Sequence, residues 1–155
     1  MTALKSLLFL VLVAGLGAVY IPFVLLPKEP QIETGPFAYL AFPLWLAGGV
    51  TVLWCFWDFT FKGRGTPNPL DPPKELVATG LYRYVRNPIY VGVLTIIIGD
   101  FLWFKSIWML AYAVVAFLGM HLFVTLYEEP TLKAKFGLAY ENYCKSVPRW
   151  IPKIR

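Results

Sequence analysis

The sequence predicts an all-α, polytopic membrane protein. Of its 155 residues, 58% are hydrophobic and only 15% are charged, and the mean hydropathy is +0.61. Soluble domains are typically about 45–50% apolar and about 25% charged. A soluble chain of this size cannot bury so much apolar surface, so a disordered chain, a nucleic-acid-binding tail and an ordinary soluble enzyme are excluded. We expect one membrane-embedded domain over residues 1–155.

Four uncharged segments predict transmembrane helices, at residues 7–26, 37–57, 89–104 and 107–127. About 20 apolar residues are needed to cross roughly 30 Å of hydrocarbon, which favours a first span over a cleaved signal peptide. The third segment is short and rises about 24 Å as a helix. Pro22 and Pro43 lie inside the first two spans, where membrane helices tolerate kinks. Only Lys105 and Ser106 separate the last two spans, which predicts a tight antiparallel hairpin.

The distribution of positive charge predicts that both termini are cytoplasmic. With the N-terminus inside, the inner side carries Lys5, five cations in the loop at 58–87 and six in the tail at 128–155, or 12 of the 14 Lys and Arg residues. Such a bias sets membrane orientation. The small size of the chain indicates a bacterial inner membrane. Cys55 and Cys144 then lie at or near the reducing side, as free thiols do.

The two cytoplasmic segments differ in predicted structure. Glycines and prolines throughout residues 62–73 predict an irregular loop. After Pro130, apolar residues recur at helical spacing, which predicts an amphipathic helix lying at the membrane interface until Pro148 and Pro152 end it. This apolar stripe consists of Leu132, Phe136, Tyr140, Tyr143 and Val147.

One charged side chain, Asp100, lies within the predicted spans. We expect it near the outer interface, close to Lys105, rather than as a functional intramembrane acid. Tryptophans near the span ends are predicted to form interfacial belts. They are Trp54, Trp57, Trp103 and Trp108.

The start of the third span has the features of an anion site. Asn87 is a suitable N-cap and Pro88 a suitable first helical residue. The free N–H groups of a helix start, with Arg86 beside them, suit a carboxylate or a phosphate. Contact between the arginines of this segment and lipid phosphates is an equally compatible interpretation.

Two adjacent carboxylates, Glu128 and Glu129, follow the fourth span. The helix dipole disfavours negative charge there. One interpretation is a solvated pair with Lys133 as partner; the other is a pair that binds a cation or sugar hydroxyls. His121 lies on the same helix face as Glu128, roughly 9 Å inside the membrane edge, where a buried structural histidine is the simplest reading. As the lone histidine of the chain, it argues against a multi-histidine metal site.

The predicted hairpin returns the chain to the same membrane face, so these two segments are neighbours. A helix N-terminus with Arg86 then lies beside a carboxylate pair, which suits a zwitterionic ligand. S-adenosylmethionine has the required carboxylate and ammonium groups, together with a ribose diol and a sulfonium. A nucleotide or a phospholipid headgroup would meet part of the same demand.

Two spaced motifs resemble those of a known enzyme family. Residues 80–92, GLYRYVRNPIYVG, resemble the Arg-His-Pro-x-Tyr-x-Gly signature of membrane methyltransferases. The acidic pair at 128–129 and the closing VPRWIP at 147–152 resemble their C-terminal half-signature. The family is the isoprenylcysteine carboxyl methyltransferase-like and phospholipid N-methyltransferase group, and the resemblance covers about half the chain. Asn87 stands where this family usually has histidine, so a charge or a titration near neutrality is not available there.

The resemblance implies a multi-pass helical enzyme that binds S-adenosylmethionine at the cytoplasmic side. In this interpretation Arg86 and the helix start bind the cofactor carboxylate, while the acidic pair binds its ammonium or ribose. Tyr90 packs on the adenine or the sulfonium. Arg149 and Glu129 are the candidate catalytic residues, with Arg149 facing an acidic acceptor. The candidate cofactor-binding residues are Tyr84, Val85, Arg86, Asn87, Tyr90, His121, Glu128 and Glu129.

The expected partners are membrane lipids and an amphiphilic or lipid-like acceptor, not nucleic acid. A carboxylate acceptor needs no general base, whereas an amine must first lose a proton. Two other functions are compatible with the sequence. Sterol-reductase-like membrane enzymes, which use a nicotinamide cofactor, look similar around Arg-x-Pro-x-Tyr but are normally longer. A non-enzymatic four-helix membrane scaffold would tolerate replacement of the candidate site residues.

Overall fold

The computed structural model describes residues 11–25, 29, 32–33, 35–61 and 75–153, and within these ranges it contains helices and no β-strand. The all-α class is therefore confirmed. The helices are α1 (Val11–Leu25), α2 (Ala41–Phe61), α3 (Pro88–Phe104), α4 (Ile107–Phe123), α5 (Glu129–Phe136) and α6 (Leu138–Ser146). Helix α1 is wound as a π-helix, and a 3₁₀ turn at Gly35–Leu40 leads into α2. A π-helical turn at Val124–Glu128 joins α4 to α5 without a break. The predicted loop at 62–73 lies outside the described residues, as do residues 7–10 and 26 of the first predicted span.

Two of the described helical stretches are long and apolar enough to cross a membrane. They are Gly35–Asp58, with 24 residues and a mean hydropathy of 1.6, and Ile107–Phe136, with 30 residues and a mean hydropathy of 2.1. Gly15–Val24 and Pro88–Phe104 are apolar but shorter. The structure thus supports a membrane protein, while the count of four spans stays a prediction. The four tryptophans expected at the interfaces are 41% to 59% exposed.

Helices α3 and α4 form the predicted hairpin. Lys105 adopts the left-handed conformation, with φ of 57°, and its N–H donates to the Phe101 carbonyl at 2.8 Å, which ends α3. Ser106 then begins α4 as an N-cap, because its Oγ accepts from the N–H of Trp108 at 3.3 Å. The reversal therefore takes two residues, and the start of α3 lies at the same end of the hairpin as the end of α4.

Glycines allow α2 to pack closely on α3. A Cβ on Gly48 would lie 2.6 Å from the carbonyl oxygen of Gly92 and 2.7 Å from Cγ1 of Ile96. A Cβ on Gly92 would lie 2.9 Å from Val52. Small residues at such crossings let helix backbones approach without displacing side chains. The buried core beside this crossing joins α1, α2 and α3 through Ala18, Val52, Val93 and Ile97.

Asp100 has a partner that the sequence did not predict. Its side chain is only 1% exposed, and its Oδ1 accepts from Nε1 of Trp45 at 2.9 Å, while its place near the outer interface stays a prediction. Gly99 leaves room for the indole, because a Cβ there would lie 2.8 Å from it. A buried carboxyl group is costly without hydrogen bonds. The contact with Trp45 offsets part of that cost and links α3 to α2.

The tail differs from the predicted single amphipathic helix. Because α4 continues through the π-helical turn into α5, Pro130 lies inside the first turn of a helix rather than ahead of one. Gly137, with φ of 54°, separates α5 from α6. The prediction failed because a glycine that adopts positive φ breaks a helix whatever the spacing of apolar residues around it. All five residues of the predicted stripe are nevertheless buried or half-buried.

We expect Gly48→Ala to lower the midpoint of thermal unfolding of the detergent-purified protein, because the new methyl group would overlap the backbone of α3. Overpacking of this kind costs about 1–3 kcal/mol. The matched control is Gly49→Ala, since nothing lies within 4 Å of a Cβ at that position. The control should keep or raise the midpoint, as alanine favours a helix over glycine by about 0.5–1 kcal/mol. Equal losses in both variants would contradict the close approach of α2 and α3.

Candidate functional site

The start of α3 is the first component of the site. A 3₁₀ turn at Gly80–Arg83 precedes it, and Pro88 is its first residue, as predicted. Asn87 occupies the N-cap position, but its side chain does not cap the helix. The Asn87 amide, in a residue only 8% exposed, instead donates from Nδ2 to the carbonyl oxygen of Arg149 at 3.1 Å. The predicted capping role of the Asn87 side chain is therefore wrong, and this side chain ties α3 to the C-terminal part of the chain.

Residues 147–153, here called the C-terminal arm, lie across the start of α3. The N–H of Arg86 donates to the carbonyl of Pro148 at 2.9 Å, and the N–H of Lys153 donates to the carbonyl of Tyr84 at 3.0 Å. Proline at positions 148 and 152 prevents the arm from continuing α6, since proline has no N–H and a fixed φ. The arm is thus an irregular, non-helical segment held by the segment that leads into α3.

Glu129 lies at the centre of a charged cluster. Its Oε1 accepts from Nη1 of Arg86 at 2.8 Å and from Nε of Arg149 at 2.7 Å, while its Oε2 accepts from Nη2 of Arg149 at 2.8 Å. The side chains of Arg86, Glu129 and Arg149 are 12%, 18% and 31% exposed. Hydrogen bonding to Glu129 raises the pKa of Arg149 above its usual value, so this guanidinium stays charged. The cluster joins the starts of α3 and α5 to the C-terminal arm.

The neighbouring carboxylate has a different partner. Oε2 of Glu128 accepts from the hydroxyl of Tyr90 at 3.0 Å. Lys133, the suggested partner of the acidic pair, forms its ion pair with Glu141 instead, at 2.9 Å, and both of those side chains are exposed. The interpretation of Glu128 and Glu129 as a solvated pair balanced by Lys133 is therefore wrong.

Aromatic rings surround Trp150, which belongs to the C-terminal arm. Its Nε1 donates to Nδ1 of His121 at 3.1 Å. This bond makes Nδ1 the acceptor and puts the ring proton of His121 on Nε2. The centroid of Trp150 lies 5.4 Å from that of Phe117, 6.0 Å from His121 and 6.4 Å from Tyr90. These four residues, which we call the aromatic group, connect α3, α4 and the arm.

The structure brings most of the predicted site residues together. The residues joined by these contacts are Arg86, Asn87, Tyr90, His121, Glu128, Glu129 and Arg149. Val85 is buried, so it serves packing. Tyr84 is exposed and contributes its backbone carbonyl; its side chain borders a cavity of about 330 Å³ that also contacts Arg83 and Tyr143.

Sequence reasoning gave no role to three residues of the site. Trp150 and Phe117 complete the aromatic group, and Sγ of Cys144 lies 2.9 Å from Nη1 of Arg86. The prolines at positions 148 and 152 could have indicated the placement of Trp150. A tryptophan between two helix-breaking residues lies in a non-helical segment rather than on the face of α6. Phe117 and Cys144 gave no such signal, as each looks like an ordinary apolar position.

Arg86 has a donor available for a further group. Its Nε is buried and has no hydrogen-bond partner among the residues that the structure describes. A buried, unpaired donor on a charged group is costly. An anion bound beside the start of α3 would satisfy it, and the N–H groups of the first helical turn favour negative charge at the same place.

Comparison with known proteins identifies the family to which this chain belongs. Residues 36–139, about two thirds of the chain, match the phospholipid methyltransferase family. The chain is therefore a member of that family, which confirms the resemblance found in the two motifs.

Two relatives are similar to parts of this chain. A methanethiol S-methyltransferase from Crocosphaera subtropica is 36% identical over 89 residues, which is 53% of this chain and 31% of the relative. A delta(14)-sterol reductase LBR from Gallus gallus is 28% identical over 150 residues, which is 84% of this chain and 23% of the relative. The chain thus matches less than a third of the length of each relative.

We expect Asn87→Ala to destabilise the protein, because it removes the donor to the carbonyl of Arg149, a half-buried residue. An unpaired buried acceptor costs about 1–3 kcal/mol, so the loss should lie near the lower end of this range. Thermal unfolding in detergent measures the effect. Asn142→Ala is the matched control, since Asn142 is an exposed residue of α6. A loss no larger than that of the control would show that the Asn87 side chain does not hold the arm.

Proposed function

We propose that the protein is an integral membrane methyltransferase that uses S-adenosylmethionine and transfers its methyl group to a lipid-like acceptor at the cytoplasmic edge of the bilayer. The observation that carries this proposal is the pairing, at one end of the hairpin, of a buried anion donor with a carboxylate and aromatic rings. Arg86 provides the donor, while Glu128 and Tyr90 provide a carboxylate and an aromatic ring that are joined by a hydrogen bond. Membership of the phospholipid methyltransferase family supports it.

The residues present fit this cofactor. Arg86 and the first turn of α3 would bind its carboxylate, and Glu128 would bind its ammonium or ribose hydroxyls. The rings of the aromatic group suit a sulfonium, because aromatic faces attract cations. When bound, S-adenosylmethionine supplies a methyl group that is already activated for transfer.

The work of the chain is then binding, orientation and exclusion of water. Alignment of two reactants contributes about 7–11 kcal/mol to lowering a barrier. The C-terminal arm covers the start of α3 and keeps water from it. Arg149 stays charged because its pKa is raised, so it stabilises an acidic acceptor and does not act as a base. A carboxylate acceptor requires no proton transfer, whereas an amine requires a base.

The same proposal includes an orientation, with both termini in the cytoplasm of a bacterial inner membrane. The charge bias of the loops supports it. Reporter fusions test it: a fluorescent protein that folds only in the cytoplasm should be bright after residue 155, and a periplasm-dependent phosphatase should be inactive there. The opposite pair of results would reverse the orientation.

A second function is favoured by one specific observation. The sterol reductase relative aligns with 84% of this chain, a larger share than the methyltransferase relative does. A membrane reductase would bind NADPH at this end of the hairpin. We favour the methyltransferase because the family match covers residues 36–139 and the methyltransferase relative has the higher identity.

We expect S-adenosylmethionine to bind the detergent-purified protein saturably in calorimetry, and NADPH not to bind. Arg86→Ala and Glu128→Ala should each weaken binding at least about tenfold, which corresponds to 1.4 kcal/mol. The control is Glu141→Gln, which removes one charge from the exposed ion pair with Lys133. Absence of binding to folded wild type would overturn the methyltransferase proposal, and NADPH binding in its place would establish the reductase.

The chemistry of the acceptor is read from the product. Incubation with methyl-labelled S-adenosylmethionine and a lipid extract should move label into the lipid fraction. Label released by mild alkali indicates a methyl ester and therefore a carboxylate acceptor, whereas alkali-stable label excludes an ester, and mass spectrometry of the product then shows whether nitrogen carries the methyl group. Label confined to water-soluble products would contradict a lipid-like acceptor.

A further inference from the structure

The two adjacent carboxylates are not equivalent. Glu129 accepts three hydrogen bonds from two guanidinium groups, and both of its oxygens are engaged. A carboxylate offers about four lone-pair sites in total, so little capacity is left for a ligand. Glu128 accepts from a neutral tyrosine hydroxyl through Oε2. The pair is thus divided between a member committed to arginine and a member that faces the aromatic group.

We infer that Glu129 and Arg149 form a latch that positions the C-terminal arm and its Trp150 over the aromatic group, and that Glu128 is the carboxylate of the pair that contacts the ligand. In this assignment Glu129 is a positioning residue. The ligand part of the inference rests on the proposed function, whereas the latch itself is a property of the unliganded protein.

Chain connectivity makes the latch control the position of Trp150. Arg149 precedes Trp150, and its bidentate contact with Glu129 fixes both the position and the plane of the guanidinium. With Arg149 fixed, the indole of Trp150 is held against His121 and Phe117. A contact through one hydrogen bond would leave the guanidinium of Arg149 free to rotate. The indole of Trp150 would then no longer be held against those rings.

The remaining attachments of the arm would not hold it alone. They consist of two backbone hydrogen bonds, to Arg86 and Tyr84, the side-chain bond from Asn87, and the hydrogen bond and ring contacts of Trp150. Only the outer part of the arm is at the surface: Val147 is buried, residues 148–150 are half-buried and residues 151–153 are exposed. We expect the part beyond Val147 to separate from α3 while the helices stay packed. Loss of the Glu129 charge would also leave Arg86 and Arg149 as like charges at close range, which favours separation.

In this proposal the ligand lies beneath the arm, so it enters and leaves only when the arm separates from α3. Because the latch is already closed in the unliganded protein, it limits both the association rate and the dissociation rate. The two carboxylates consequently predict different kinetic signatures. Weakening the latch raises both rates and changes the affinity little, whereas removal of a direct ligand contact lowers the affinity without changing the arm.

The first test uses amide hydrogen exchange of the unliganded protein in detergent. The N–H groups of Arg86 and Lys153 report the docked arm, because each donates to a backbone carbonyl across the contact. Glu129→Gln and Arg149→Gln should speed their exchange about tenfold or more, with Arg149→Lys intermediate because lysine lacks the planar fork. Glu128→Gln and the control Glu141→Gln should leave it unchanged. Exchange at Ile97, fully buried between the helices, reports whether the variants remain folded.

The second test measures S-adenosylmethionine dissociation by rapid mixing. Glu129→Gln should raise the association and dissociation rates together, each about tenfold or more, with a smaller change in affinity, and Glu128→Gln should weaken equilibrium binding while arm exchange stays as in wild type. Weakened binding in Glu129→Gln with unchanged exchange at Arg86 and Lys153 would overturn the latch and make Glu129 a ligand contact. Absence of any S-adenosylmethionine binding would refute the proposed function, and the exchange result would still decide whether the latch exists.

Discussion

The structure depends first on the two-residue reversal between α3 and α4. Lys105, in the left-handed conformation, ends α3, and the next residue, Ser106, is the N-cap of α4. Because the reversal is so short, the two ends remote from it are forced together. Those ends carry Arg86 and the acidic pair, so a local backbone event at one end of the hairpin determines that opposite charges meet at the other. The close approach of α2 at Gly48 then holds α3 from its other side.

Charges that meet at the end of an apolar hairpin are expensive unless they are paired. Removal of an ion from water costs several kcal/mol even after relaxation of the protein. The chain reduces that cost by placing Glu129 between two guanidinium groups, and the third member, Arg149, comes from the C-terminal arm. The arm is therefore required for the electrostatics of the hairpin. It also supplies Trp150, so charge pairing and closure of the aromatic group come from the same seven residues.

The helical class, the hairpin and the neighbourhood of Arg86 and Glu129 were predictable from the sequence, because they follow from hydropathy, a two-residue gap and antiparallel geometry. The pairing within the cluster was not predictable. Spacing places side chains at one membrane face but does not choose which carboxylate an arginine from a distant segment will contact. The hydrogen bond between Asp100 and Trp45 was unpredictable for a similar reason, since the two residues lie on helices distant in sequence. The helix break at Gly137 was missed for a different reason. The apolar spacing continues past this glycine, but its positive φ ends the helix.

Asn87 is the residue at which this chain departs from the family signature. The usual histidine offers a titratable ring, and the signature alone would suggest that its replacement removes a functional group. The structure shows that this position donates a hydrogen bond to the carbonyl of Arg149. An asparagine amide meets that demand without any change of protonation. What this chain requires at position 87 is therefore a donor that holds the arm, and this requirement links the start of α3 to the residue that completes the charge balance of Glu129.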